Sequence, residues 1–130
     1  MASVFTLIME GKIRGNFVYQ DEIAVAILTI QPIREGHVLV IPRAEVDQWS
    51  DLPAETAAHL MTVSHKIANA MKTLFPCTRI GFMIAGLEVP HTHIHLVPID
   101  SMDDLNFAFA KNADGDVLKK TAEKILAALI

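Results

Sequence analysis

The run Pro90-His91-Thr92-His93-Ile94-His95-Leu96-Val97-Pro98 sets three imidazoles at alternate positions. A spacing of two is the period of a β-strand, so the three rings are expected on one strand face, about 6.5–7 Å apart. Thr92, Ile94 and Leu96 then face the other way, toward a core. Imidazole titrates near neutral pH and serves as nucleophile, general acid or base, and metal ligand. Three rings at this spacing can surround one phosphate-sized group. One attacks phosphorus, another hydrogen-bonds a non-bridging oxygen or protonates the leaving group, and a third orients the first. The attack gives a covalent phosphoramidate and splits one displacement into two. His93, flanked on both sides, is the best-placed nucleophile.

Two other readings stay open on spacing alone. Histidines two apart on a strand can ligate zinc through His91, His93 and His95, with Glu88 the nearest carboxylate. The rings can also form a structural cluster. His37 adds a fourth histidine at the opening of another β-prone run, His37 to Ile41, where a strand-end ring is either structural or part of the site. Glu88 is either a solvent-facing loop carboxylate or an acid whose pKa burial raises.

Positioning these residues requires strands. Phe17–Gln20 and Ile23–Ile30 read as strands joined at Asp21-Glu22, and Pro32 ends the second. Glu35-Gly36 turns the chain into His37–Ile41, stopped by Pro42. Arg79–Ala85 is a further strand, broken by Gly86, before the histidine strand, which Pro98 ends. Val4–Glu10 is a short helix or an irregular lead-in. A long helix follows Ser50 or Asp51 as cap, with Pro53 and Glu55 in its first turn. Leu60, Met61, Ser64, Ile67, Met71 and Leu74 give its buried stripe. His59 and His65 fall off that stripe and read as exposed. Residues 100–113 read as irregular, and Val117–Leu129 as a last helix capped by Asp114 to Asp116. The order predicts one α+β domain over residues 1–130: an antiparallel sheet of about five strands, one long helix and a C-terminal helix, with helices on one face.

Composition narrows the function. The 130 residues are 52% apolar and 20% charged, with net charge −4. That supports a packed core and disfavours a nucleic-acid backbone binder, which needs clustered Lys and Arg. Apolar runs are too short to span a bilayer, so no membrane partner is expected. A lone Cys77, an inert small residue on this reading, and no basic-then-apolar leader place the chain in the cytoplasm.

His91-Thr92-His93-Ile94-His95-Leu96-Val97 resembles the motif of the histidine triad (HIT) family, His-φ-His-φ-His-φ-φ with φ apolar. Gly36-His37-Val38-Leu39-Val40-Ile41-Pro42 resembles its second block. The resemblance covers residues 4–99, leaving 100–130 as a helical extension. It implies a homodimer whose strands join into one sheet. It also implies a nucleotide hydrolase or transferase acting at the α-phosphate of a nucleoside phosphoramidate or dinucleoside polyphosphate, with no cofactor required. By the same resemblance His93 is the nucleophile, His95 and His91 support phosphate and leaving group, and His37 joins their cluster.

The substrate shell departs from the family. Thr29 stands where many members place an Asp or Asn on the ribose hydroxyls. Gly86-Leu87-Glu88 replaces a Gly-Gln-Ser/Thr that donates to phosphate, so Thr29, Gly86 and Glu88 become the substrate-binding candidates. Ser3 and Thr6 lie about where some bacterial members carry a zinc-binding Cys pair. These departures favour, as the alternative, a nucleotide-binding regulatory module with little catalysis.

Overall fold

Hydrophobic patterning in this chain builds one five-stranded sheet with a helical layer on one side and a short helix on the other. The computed structural model describes residues 2–129. Helix α1 (Val4–Met9) leads into β1 (Phe17–Gln20), β2 (Ala24–Leu28) and β3 (Val38–Pro42). Helix α2 (Ala54–Leu74), β4 (Arg79–Met83), β5 (Ile94–Ile99) and α3 (Gly115–Ala128) follow. The strand order is β1-β2-β3-β5-β4, and every pairing is antiparallel.

The sheet is covered on both faces, which explains why β2, β3 and β5 are buried at every position. Ala26, Val40, Ile94 and Leu96 pack with Leu60, Ile67 and Met71 of α2 and Ile125 of α3. On the opposite face Val25, Ile27, Leu39 and Ile41 pack against Phe5 of α1. The expectation of helices on one face holds for α2 and α3 but not for α1. Phe5 is the reason: its ring is the apolar cover for the second face.

Several boundaries differ from the sequence reading. Strands β2 and β4 are shorter than expected, ending at Leu28 and Met83. Ser50 and Asp51 do not cap α2; they lie in a 3-10 turn (Trp49–Asp51), and Pro53 is the N-cap residue. Residues 100–113 contain two 3-10 turns, Met102–Leu105 and Phe107–Phe109, the first held by a reciprocal Ser101–Asp104 capping box. Pro98 does not end β5. The Ile99 carbonyl accepts from the Thr78 N–H at 3.1 Å, so the Ile99 peptide groups face β4. Pro98 therefore faces the other flank, where β3 has already ended at Val38 opposite Leu96. No ladder bond is lost, which is the condition for proline in a strand.

His65 is exposed as expected, but His59 is not free. It donates through Nε2–H to Asp21 Oδ2 at 2.6 Å, beside the Tyr19 hydroxyl at 2.6 Å. Asp21 Oδ1 also accepts from Ile23 and Ala24 N–H at 2.7 Å each. These donors outweigh partial burial and hold the Asp21 carboxyl far below its ordinary range. The Asp21 turn thus ties α2 to the β1–β2 hairpin.

Candidate functional site

Gly36 sets the first histidine. Its φ is +91°, and a side chain there would lie 2.6 Å from the Phe75 ring, so only glycine fits. The turn delivers His37 to the start of β3, 2% exposed. Register then does the rest. Leu39 pairs with His95, which places His95 on the α1 face, while Ile94 and Leu96 enter the α2 core. His93 shares that face, and its ring centroid lies 4.9 Å from that of His95.

His91 takes a different path. Thr92 donates both its N–H (2.7 Å) and its hydroxyl (2.8 Å) to the Val46 carbonyl. Opposite that stretch β3 has reached Pro42, which offers no N–H. Strand β5 consequently begins at Ile94, not at His91. The expectation of three rings on one strand is corrected here: His93 and His95 face one cavity, and His91 is buried behind them. His91 donates through Nε2–H to the Pro42 carbonyl at 2.7 Å and accepts at Nδ1 from the Ser3 hydroxyl at 2.6 Å. Both nitrogens are occupied, so His91 has no free lone pair for a cation.

Backbone groups fix the tautomers of the other three rings. Ile33 N–H donates to His37 Nδ1 at 3.1 Å, so the neutral His37 ring carries its hydrogen on Nε2. That hydrogen is donated to His95 Nδ1 at 3.0 Å. The His95 hydrogen is thereby placed on Nε2, facing the cavity. His93 donates through Nδ1–H to the His91 carbonyl at 2.8 Å, leaving Nε2 as the reactive nitrogen. For His37 and His95, neutrality follows from burial. Desolvation, aided by neighbouring imidazoles, lowers His37 from 6.5 to about 3 and His95 from 6.5 to about 4. Burial also lowers His91.

His95 Nε2 is buried and lacks a hydrogen-bond partner, one of two such side-chain atoms among the described residues. An unmet donor of this kind costs about 1–3 kcal/mol, recovered when an acceptor binds. The closest candidate is Glu88 Oε1, at 3.4 Å. Glu88 instead bonds His93 Nε2 at 2.5 Å. Two lone pairs cannot share that distance, so a proton lies between them. Glu88 is a loop carboxylate with half its side-chain surface exposed, as the solvent-facing reading expects, yet its Oε1 reaches the buried His93. Its pKa is not raised: burial pushes it up, but the bond from His93 and local backbone donation hold it below the ordinary value.

The cavity, about 370 Å³, is lined by His37, His93, His95, Thr29 and Glu88, together with Phe5, Gln31, Phe107 and Ala110. Gly86 lines a separate groove beside Asp47; its φ of +78° turns the loop that carries Glu88. Thr29 Oγ1 accepts from Gln31 N–H at 3.2 Å, leaving the hydroxyl hydrogen for a ligand. Sequence reasoning missed Phe5, Gln31, Phe107 and Ala110, which arrive from distant segments. Phe5 packs edge-on against His93 with centroids 4.9 Å apart, and Phe107 against His95 at 4.8 Å.

Among the described residues, Glu88, His93 and His95 bring potential metal-ligand atoms within 4.8 Å of one another. The donor relay from Ile33 opposes a cation there. His95 Nε2 carries a hydrogen, and freeing it would break the Ile33–His37–His95 chain. The same arrangement suits an oxyanion: the reactive nitrogen His93 Nε2 stands beside a donor at His95 Nε2.

The sequence profile of the HIT domain matches residues 10–102. The adenosine 5'-monophosphoramidase HNT1 of Saccharomyces cerevisiae is 32% identical, over 98% of this chain and 83% of the yeast protein. The asymmetrical bis(5'-nucleosyl)-tetraphosphatase of Schizosaccharomyces pombe is 29% identical, over 76% of this chain and 59% of that one. A solved Hit-like protein from Bartonella henselae superposes with a TM-score of 0.86 at 29% identity, covering 98% of this chain and 96% of the other.

Proposed function

This chain belongs to the histidine triad family, and from that premise we propose that it hydrolyses or transfers a nucleoside monophosphoryl group through a nucleotidyl-His93 intermediate. The observation that carries the reading is the pairing of His93 Nε2, fixed as the reactive nitrogen by the Nδ1 bond to the His91 carbonyl, with the unpartnered donor at His95 Nε2. His93 attacks the α-phosphorus, the leaving group departs, and water then cleaves the P–N bond to His93. His95 Nε2–H binds a non-bridging oxygen, where negative charge accumulates in the transition state. His37 is a positioning residue that holds His95 in the donor tautomer. His91 acts through its carbonyl, which orients His93, rather than on the phosphate. Thr29 offers one hydroxyl to the ribose. This chemistry needs no metal or other cofactor.

The substrates are nucleoside phosphoramidates or dinucleoside polyphosphates, classes represented by the named activities of the two yeast relatives. Turnover of an adenosine phosphoramidate is expected, with a loss of at least about 1,000-fold in His93→Ala. Retained turnover in that variant would overturn the assignment. A second reading, a nucleotide-binding module with little catalysis, draws on the Glu88 carboxylate seated against the nucleophile. Tight nucleotide binding without turnover of either substrate class would establish it.

A homodimer is the proposed assembly. Strand β4 is a sheet edge, and Trp49, Met61 and Phe82 form an exposed apolar patch beside it. A second copy pairing along β4 would satisfy the edge and cover the patch. Light scattering is expected to give twice 14.3 kDa; a monomer mass at micromolar concentration would refute it.

A further inference from the structure

We propose that Glu88 is the proton carrier for the leaving group and thereby makes this site selective for amine leaving groups over phosphate ones. The inference rests on the His93 reading above and assigns the atom that reading leaves without a role. Glu88 Oε1 lies 2.5 Å from His93 Nε2 and 3.4 Å from His95 Nε2, so it touches the reacting nitrogen itself.

The proton count closes around this contact. At rest one proton is shared between His93 Nε2 and Glu88 Oε1. As substrate enters, Glu88 takes that proton and the His93 lone pair is freed. His93 Nε2 forms a bond to the α-phosphorus while the bond from phosphorus to the leaving nitrogen breaks. The departing nitrogen keeps the bonding pair and receives the Glu88 proton, leaving as a neutral amine. Water then attacks phosphorus and gives its proton to Glu88. The P–Nε2 bond breaks, its electron pair returns to His93, and the shared proton is restored.

Local electrostatics change in the required direction. Burial pushes the Glu88 carboxyl up, and the bond from His93 is the largest of the contacts that hold it down, ahead of local backbone donation. When His93 turns to phosphorus the largest of those lowering contacts is lost and burial counts for more, which raises the acid. An amine is a poor leaving group without a proton, whereas a phosphate leaves as a stable anion and needs none. A polyphosphate leaving group would also bring negative charge against the carboxylate. Among the described residues, no lysine or arginine lines the cavity to offset it. Phe107, 40% exposed beside His95, supplies apolar surface for the carbon chain of an amine.

The test compares kcat/KM for an alkylamine adenosine phosphoramidate and a diadenosine polyphosphate, in the wild type and Glu88→Gln. Glutamine keeps the shape but cannot carry the proton. The phosphoramidate value is expected to fall about 100-fold and the polyphosphate value to rise, reversing the preference. Equal loss on both substrates, or none on either, overturns the inference while leaving the histidine chemistry standing. A series of phosphoramidates with amines of graded basicity, run on the wild type, needs no variant. Rates nearly independent of amine basicity are expected, and a steep fall with rising basicity overturns the role of Glu88. Absence of turnover with every substrate in the wild type would instead defeat the underlying His93 reading, and this inference with it.

Discussion

Lowering the pH from 7 to 5 should destabilise the fold through the buried imidazole relay. His37 and His95 titrate near 6.5 when exposed, but burial lowers them to about 3 and about 4 in the folded protein. Between pH 7 and 5 the unfolded chain takes up protons at both rings and the folded protein does not. Stability is therefore complete above the unfolded value and falls as the pH drops below it. Each ring contributes a loss of about 1.9 kcal/mol over this interval, and the two together about 4 kcal/mol. His91, lowered in the same direction, adds to the loss. Carboxylates with depressed values, such as Asp21, act at lower pH and do not obscure the window. The assay is urea unfolding at pH 7, 6 and 5, with the denaturant slope checked for constancy. His37→Asn, which removes one titrating ring, should lessen the pH dependence. Unfolding free energy that stays constant within about 0.5 kcal/mol from pH 7 to 5 would refute the neutral relay.

Three further perturbations separate scaffold from site. His91→Ala strands the Pro42 carbonyl and the Ser3 hydroxyl in a new cavity, and should cost about 2–4 kcal/mol in urea unfolding, while the folded fraction still forms the His93 adduct. Asp21→Asn weakens the tie between α2 and the hairpin and should cost about 1–2 kcal/mol, with turnover per folded molecule unchanged. Thr29→Asp exchanges one neutral hydroxyl for a charged acceptor, and should increase discrimination between ribose and 2'-deoxyribose substrates about 10-fold, read as a ratio of kcat/KM.

Period-two spacing was enough to place His93 and His95 on one face and Ile94 and Leu96 on the other, because a strand leaves side chains no third direction. It misplaced His91, because Pro42 cannot donate and the Val46 carbonyl captures Thr92 from a distant loop. The direction of Glu88 was likewise hidden: it depends on the turn at Gly86, and a loop carboxylate carries no periodicity. Tautomers were illegible for a different reason. The hydrogen on His95 is dictated by Ile33 N–H acting through His37, a relay joining three segments that only the fold brings together. The cavity walls, Phe5 and Phe107, belong to opposite ends of the chain, and their aromatic character announced a core as readily as a site.

The central claim is that His93 Nε2 becomes covalently bonded to phosphorus. Rapid quenching during turnover of an adenosine phosphoramidate, followed by peptide mass analysis at neutral or alkaline pH, tests it directly. The account predicts one added adenosine monophosphoryl group on the peptide containing residues 91–95, located at His93 and absent from His93→Ala. An adduct at His91, at His95 or on Glu88, or turnover with no adduct at any time point, would contradict it.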